Sequence, residues 1–286
     1  MLGSGLLIGT SGWSYPRGEG SWKSNFYPPA VDELTYYSRY FQLVEINSTF
    51  YHPPTPEVAR NWVRKTPESF IFTVKLWQKF THPKMYEEAT GKDAAISTAD
   101  IEQFEKGIAP LKESGKMGVL LAQFPSSFQN STESRRVLEA VISAYGHHQL
   151  AVELRDKSWS QDPATAKLLT ANNVCWVRQD EPRFERTISA ELPQTADIAY
   201  FRFHGRNREM WWKGNNETRY RYLYSPEEIA ELARQVEAVA KKAKLTFVLF
   251  NNHWKGYAPR NAIQMIRRLG GQIDAELPVA FIEEGL

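Results

Sequence analysis

Leu43-Val44-Glu45-Ile46-Asn47, with Thr55-Pro56-Glu57-Val58-Ala59-Arg60-Asn61-Trp62 close behind it, carries in one stretch the unit from which the fold is built. The first segment is apolar on both sides of Glu45 and lacks strict alternation, as expected of a parallel strand buried on both faces. The second opens with a capping threonine, a proline in the first turn and an early acid. Val58 and Trp62 follow at helical spacing. A buried strand followed by a helix is half of a βαβ crossover.

Working outward, the same alternation recurs along the chain. The apolar runs are Leu6–Gly9, Leu43–Asn47, Phe70–Lys75, Gly118–Phe124, Leu150–Leu154, Val174–Arg178, Ile198–Phe203 and Leu245–Phe250. Between them, Ile101, Phe104, Ile108 and Leu111 form one helical stripe, and Val137, Leu138, Val141, Ile142 and Tyr145 another. Asp162-Pro163 introduces Ala164–Leu169, and Ser225-Pro226-Glu227-Glu228 has capping-box spacing. Pro259 starts the last helix, Arg260–Leu269, and Gly270 ends it. Asp180–Asp197 has little helical periodicity and is expected to be mostly loop. Eight such units predict an α/β fold of one domain over residues 1–286, a single (β/α)8 TIM-type barrel. The rival is an open doubly wound sheet, against which stands the lack of a G-x-G-x-x-G or P-loop after a strand. Long loops follow the first strand (Ser11–Pro29) and the seventh (Gly205–Ser225), and no role is legible for Gly271–Leu286.

Composition bounds the function classes. With 35 basic and 33 acidic residues, a formal charge of +2 gives no general field for nucleic acid. A local patch of Arg202, Arg206, Arg208, Lys213, Arg219 and Arg221 remains a candidate. The one cysteine, Cys175, excludes an intrachain disulfide and lies in an apolar run, as a core thiol does. No apolar run approaches the ~20 residues of a membrane span, and the first residues lack a basic leader. A cytoplasmic protein with no membrane partner is the expectation.

Polar residues gather where the apolar runs stop. The runs end in or carry Trp13, Glu45 and Asn47, Lys75, Gln123, Glu153 and Arg155, Arg178 and Asp180, Arg202 and His204, and Asn251 and Asn252. Strand residues two apart share a face, so these pairs can converge on one cavity. A buried charge costs several kcal/mol unless paired, as a purely structural network would also provide. Barrel active sites gather at this end of the strands.

The segments Ile8–Trp13, Phe26-Tyr27-Pro28, Val44–Tyr51, Thr81-His82, Leu120–Pro125, Val152-Glu153-Leu154-Arg155, Phe201–Gly205 and Phe250-Asn251-Asn252 together resemble the YecE-like family, a domain of unknown function (72). The resemblance covers nearly the whole chain. It implies a TIM-type barrel and a site, and supplies no reaction. Where relatives often carry Asp-Ser-Pro after strand six, this chain has Asp180-Glu181-Pro182.

Several chemistries suit these residues. Glu45, Glu153, Asp180 and His204 are the candidates for general acid and base. Trp13, Asn47, Lys75, Gln123, Arg155, Arg202, Asn251 and Asn252 are the candidates for holding substrate. Guanidinium forks suit phosphate or carboxylate. The expected function is a hydrolase-like, phosphodiesterase- or nuclease-like enzyme on a small anionic, phosphate-containing or nucleic-acid substrate. No cofactor is implied by a motif; a divalent metal stays open, without H-E-x-x-H to hold it. The alternatives are a non-catalytic RNA-, DNA- or oligosaccharide-binding barrel, a glycosidase-like enzyme, and a scaffold. Against the glycosidase stands the placing of Gln123 and His204 where many such barrels carry their acids. Trp13, Trp77, Trp159, Trp211, Trp212 and Trp254 sit after strands or in loops, placed either to stack on a ligand or to pack the rim. Oligomeric state is not legible.

Overall fold

The computed structural model describes residues 5–15, 17–215 and 217–283. Its strands are β1 (Leu6–Ser11), β2 (Leu43–Ile46), β3 (Ile71–Lys75), β4 (Met117–Gln123), β5 (Leu150–Glu153), β6 (Cys175–Trp176), β7 (Arg178–Asp180), β8 (Ile198–Phe203) and β9 (Leu245–Phe250). The chain divides into two compact units. One comprises Met1–Glu45, Arg178–Phe184 and Asp197–Leu286; the other comprises Ile46–Val177 and Glu185–Ala196.

In the first unit the strands run parallel in the order β7-β8-β9-β1-β2. Gly9 lies opposite Leu43, where a Cβ would stand 2.0 Å from the Leu43 carbonyl oxygen. Only glycine lets β1 and β2 approach this closely. The helices Pro226–Ala240 and Tyr257–Arg268 bury Ile229, Leu232, Val236, Ile263 and Ile266. The first is set by the predicted capping box, with Ser225 and Glu228 each accepting from the other's backbone N–H. The second begins two residues before the predicted start, leaving Pro259 in its first turn, where no N–H is needed. Gly270 follows its end with φ 78°. The tail, without a role in the sequence reading, forms the short helix Val279–Glu283, and its Phe281 stacks on buried Phe26.

In the second unit β3-β4-β5-β6 run parallel in that order. The helices Pro56–Arg64, Thr98–Glu113, Thr132–Tyr145 and Pro163–Ala171 answer to the predicted caps and stripes. Thr55, Ser97, Ser131 and Asp162 each accept a first-turn backbone N–H. Cys175 is buried.

One expectation is corrected. The run Val174–Arg178 is not one strand but two, which makes nine strands instead of eight among the described residues. Cys175–Trp176 pairs with β5, and Arg178–Asp180 pairs with β8. The chain changes partners at Val177 with no glycine or proline to mark it. Residues 181–197 hold no helix, as expected of that crossover. No described helix is long and apolar enough to cross a membrane.

Candidate functional site

Register decides which predicted residues meet. In the first unit, Ser11 aligns with Glu45, Leu249 with Arg202, and Gln179 with Arg202. Side chains alternate along a strand. Hence Ser11, Glu45, Gln179, Tyr200, Arg202, His204 and Asn251 share one face. Asp180 aligns with Phe203 and therefore belongs to the other.

Glu45 and Arg202 are both essentially inaccessible. Arg202 Nε donates to Glu45 Oε2 at 3.0 Å and Nη2 to Oε1 at 2.6 Å, while the Tyr200 hydroxyl donates to Oε2 at 2.8 Å. Two strands, β9 and β1, lie between β8 and β2. In a flat sheet the two backbones would stand about 14 Å apart. A single bidentate pair closes that gap only if this face is concave. The pair acts as a brace across the concavity. Asn251 Nδ2 lies 3.0 Å from His204 Nδ1, so the two side chains meet at the end of this face. Ser11 Oγ is buried on this face with no hydrogen-bond partner, a group the sequence reading passed over.

Around the same strand ends, Tyr15 stacks on His253 at 4.4 Å, and Tyr220 lies 5.3 Å from His253 and 6.1 Å from His204. Trp22 Nε1 donates to the His253 carbonyl at 2.5 Å. Trp13 is half-buried, and its carbonyl accepts the Tyr27 hydroxyl.

Two candidates do not join this face. The Asp180 carboxylate receives Arg206 Nε and Nη2 and the Tyr224 hydroxyl, at 2.7 to 3.1 Å. Burial first, and then the Asp180 charge, raise the Tyr224 pKa, which keeps that hydroxyl a donor. Asn252 Nδ2 donates to the Tyr222 carbonyl and to Asn261 Oδ1, tying β9 to the helix Tyr257–Arg268. Their strand parity aims them away from Arg202, and for Asp180 strand parity between neighbours is what a sequence does not print.

The proposed basic patch is also thinned. Arg202 is buried in its pair, and Arg206 is held by Asp180 and Glu228. Arg206, Arg208 and Arg221 still line an open cavity of about 540 Å³ with Tyr222. Trp211 and Trp254 are buried, as are Trp77 and Trp159 in the second unit, so these four pack the rim; Trp212 is exposed.

In the second unit, Lys75 aligns with Leu121, and Gln123 with Glu153. Lys75, Gln123 and Glu153 therefore share one face at the C-terminal ends of β3, β4 and β5. Arg155 Nε and Nη2 both reach Glu153 Oε1, at 2.7 and 2.6 Å. Lys75 Nζ sits 4.0 Å above the Phe50 ring. Gln123 Nε2 donates to the Phe124 carbonyl. Asn47 Oδ1 is buried with no hydrogen-bond partner.

His82, absent from the predicted site, belongs here. Burial pushes its pKa down to about 3, helped by the charges of Lys75 and Arg155 and opposed by Glu153. The imidazole is thus neutral at ordinary pH, with Nδ1 2.9 Å from the Thr81 hydroxyl and its ring edge-on to Phe50. It stands at the junction of the short helices Gln78–Thr81 and Pro83–Thr90, and the Thr81-His82 segment of the family resemblance is the signal that pointed to it. Lys75, Arg155 and Glu153 are thus charges that act on this ring.

A model of the family described as "Protein of unknown function DUF72" matches residues 7–280. The UPF0759 protein YunF of Bacillus subtilis (strain 168) is 30% identical over 277 residues, 92% of this chain and 94% of its own. A crystal structure of a DUF72 family protein from Thermotoga maritima MSB8 is 38% identical, with a TM-score of 0.80 over 93% of this chain and 99% of that one. Another, from Enterococcus faecalis V583, is 28% identical with a TM-score of 0.81 over 95% and 98%. The fold class read from the sequence holds: parallel strands alternate with helices, as in a TIM-type barrel, and the solved structures match it.

Proposed function

Because this chain belongs to the DUF72 family, whose description supplies no reaction, we propose a function from its own residues: a hydrolase-like enzyme that holds an anionic, phosphate-containing substrate on Lys75 and Arg155 and uses Glu153 as general acid or base. The observation that carries this reading is the alignment of Lys75, Gln123 and Glu153 on one face at three successive strand ends, with neutral His82 in their field. Lys75 supplies a point charge and Arg155 a fork, the two usual ways of holding a phosphate. His82 is too weak a base to take a proton near neutral pH, so its part is to donate or accept a hydrogen bond. Asn47 Oδ1, orphaned and buried just after a strand end, is a group a ligand or water would satisfy.

The Glu45–Arg202 pair has a bracing part instead, since each carboxylate oxygen already accepts from Arg202. Asp180 likewise holds Arg206 and Tyr224.

A panel of p-nitrophenyl phosphate, bis(p-nitrophenyl) phosphate and short DNA and RNA oligonucleotides tests the proposal. Turnover of at least one, lost by about 100-fold or more in Glu153→Gln with binding retained, is the expected outcome. Turnover unchanged in Glu153→Gln, or none on the whole panel, would overturn it. Binding of an oligonucleotide without turnover would instead favour the non-catalytic reading, to which the arginine-lined cavity beside Tyr222 lends support.

A further inference from the structure

We propose that Glu105, His147 and His148 bind one divalent transition-metal ion of the Zn²⁺ class. Glu105 lies on the helix Thr98–Glu113. The two histidines lie in the turn between the helix Thr132–Tyr145 and β5. Gly146 caps that helix, and His148 N–H donates to the Tyr145 carbonyl, so the turn is fixed by backbone bonds.

Both imidazoles bring the same atom, Nε2, to the same carboxylate oxygen. His148 Nε2 is 2.7 Å from Glu105 Oε1, and His147 Nε2 is 3.3 Å from it. One ligand atom from each of the three residues falls within 4.8 Å of the others. Ligand atoms around a tetrahedral ion with bonds near 2.0 Å stand roughly 3.3 Å apart. The triad therefore needs only a small opening at His148 to surround an ion.

Ion pairing alone is a poor account of this arrangement. Both rings would have to carry a proton on Nε2 to face the carboxylate, with centroids only 4.2 Å apart. Full charge on both would set two cations against each other. A divalent cation lets both rings present lone pairs and Glu105 its charge. Lys112, further along the same helix, also acts on Glu105. Two imidazole nitrogens and one carboxylate oxygen suit Zn²⁺, Co²⁺ or Ni²⁺ over Mg²⁺ or Ca²⁺. His148 is nearly buried, Glu105 is 28% exposed and His147 52%, which gives the ion an entry and room for a water as fourth ligand.

The site stands at the N-terminal end of β5, opposite the end that carries Glu153 and Arg155. In barrels that end serves stability. A bound ion would clip the helix Thr98–Glu113 to the turn entering β5. It is independent of the proposed phosphate chemistry.

The test is calorimetric titration of ZnCl₂ into the chelator-treated, tag-free chain, with a thermal melt of each sample. The expected result is saturable binding of one ion per chain and a higher melting midpoint with Zn²⁺. His147→Ala, at a half-exposed position that leaves folding intact, should weaken binding by about 10–100-fold. Glu105→Gln should do the same, and both should lose the Zn²⁺-dependent rise in midpoint. Absence of one-to-one binding, or binding unchanged in His147→Ala and in Glu105→Gln, would overturn the proposal.

Discussion

Each unit of the molecule buries a glutamate–arginine pair at its strand ends, and the two pairs are built differently. In the first unit Arg202 spans from β8 to β2 and grips both oxygens of Glu45, with Tyr200 added to one. In the second, Arg155 lies two residues from Glu153 on the same segment and converges on one oxygen. A pair that joins distant strands holds a sheet in its curve. A pair within one segment does not itself join two strands. It sets a charge and its partner at a strand end, beside Lys75 and His82. The same residue types therefore serve as brace in one place and as candidate chemistry in the other.

The largest effect expected from this contrast is on the brace. Glu45→Gln leaves Arg202 buried without its counter-charge and should cost about 3–5 kcal/mol in urea unfolding. Replacing the pair together, Glu45→Leu with Arg202→Met, should recover most of that loss. A cost near zero for the single variant would show that the pair braces nothing.

The second effect is one of pH. His82 has its pKa lowered from 6.5 to about 3 by folding, so between these values the unfolded chain binds the extra proton. Stability is intact above pH 6.5 and falls as pH drops through that window, by about 2–3 kcal/mol at pH 4.5. His82→Asn should flatten this part of the profile. A profile identical to that of the unaltered chain would contradict the burial argument.

The third is smaller in stability and larger in activity. Glu153→Gln should cost about 1–2 kcal/mol, less than Glu45→Gln, because Arg155, at 9% against 2% for Arg202, is the less deeply buried guanidinium. Equal costs for the two variants would erase the distinction between the units.

Much of this was legible in the sequence, and the boundary of legibility is physical. Caps such as Thr55, Asp162 and Ser225 act on backbone groups a few residues away, so local spacing reveals them. The i, i+2 rule placed Arg202 and His204 on one face, as Glu45 and Asn47 are placed by it, because alternation is also local. Which face of β7 matches which face of β8 depends on register between strands far apart in sequence. Asp180 was for that reason grouped with residues from which the register separates it, whereas Asn252 parts from Asn251 by alternation alone. The split of Val174–Arg178 escaped notice because an exchange of strand partners leaves an apolar run unchanged. His82 escaped because its importance comes from Lys75, Glu153 and Arg155, and a histidine alone says nothing of its neighbours.

The central claim is that anion binding belongs to the second unit's strand ends. Calorimetric titration of inorganic phosphate and pyrophosphate into the unaltered chain, Lys75→Met and Arg206→Gln tests it most directly. The account predicts affinity reduced at least about tenfold in Lys75→Met, the loss of roughly one charge-assisted contact, and unchanged in Arg206→Gln. Retained affinity in Lys75→Met together with loss in Arg206→Gln would move the anion site to the first unit and contradict the account.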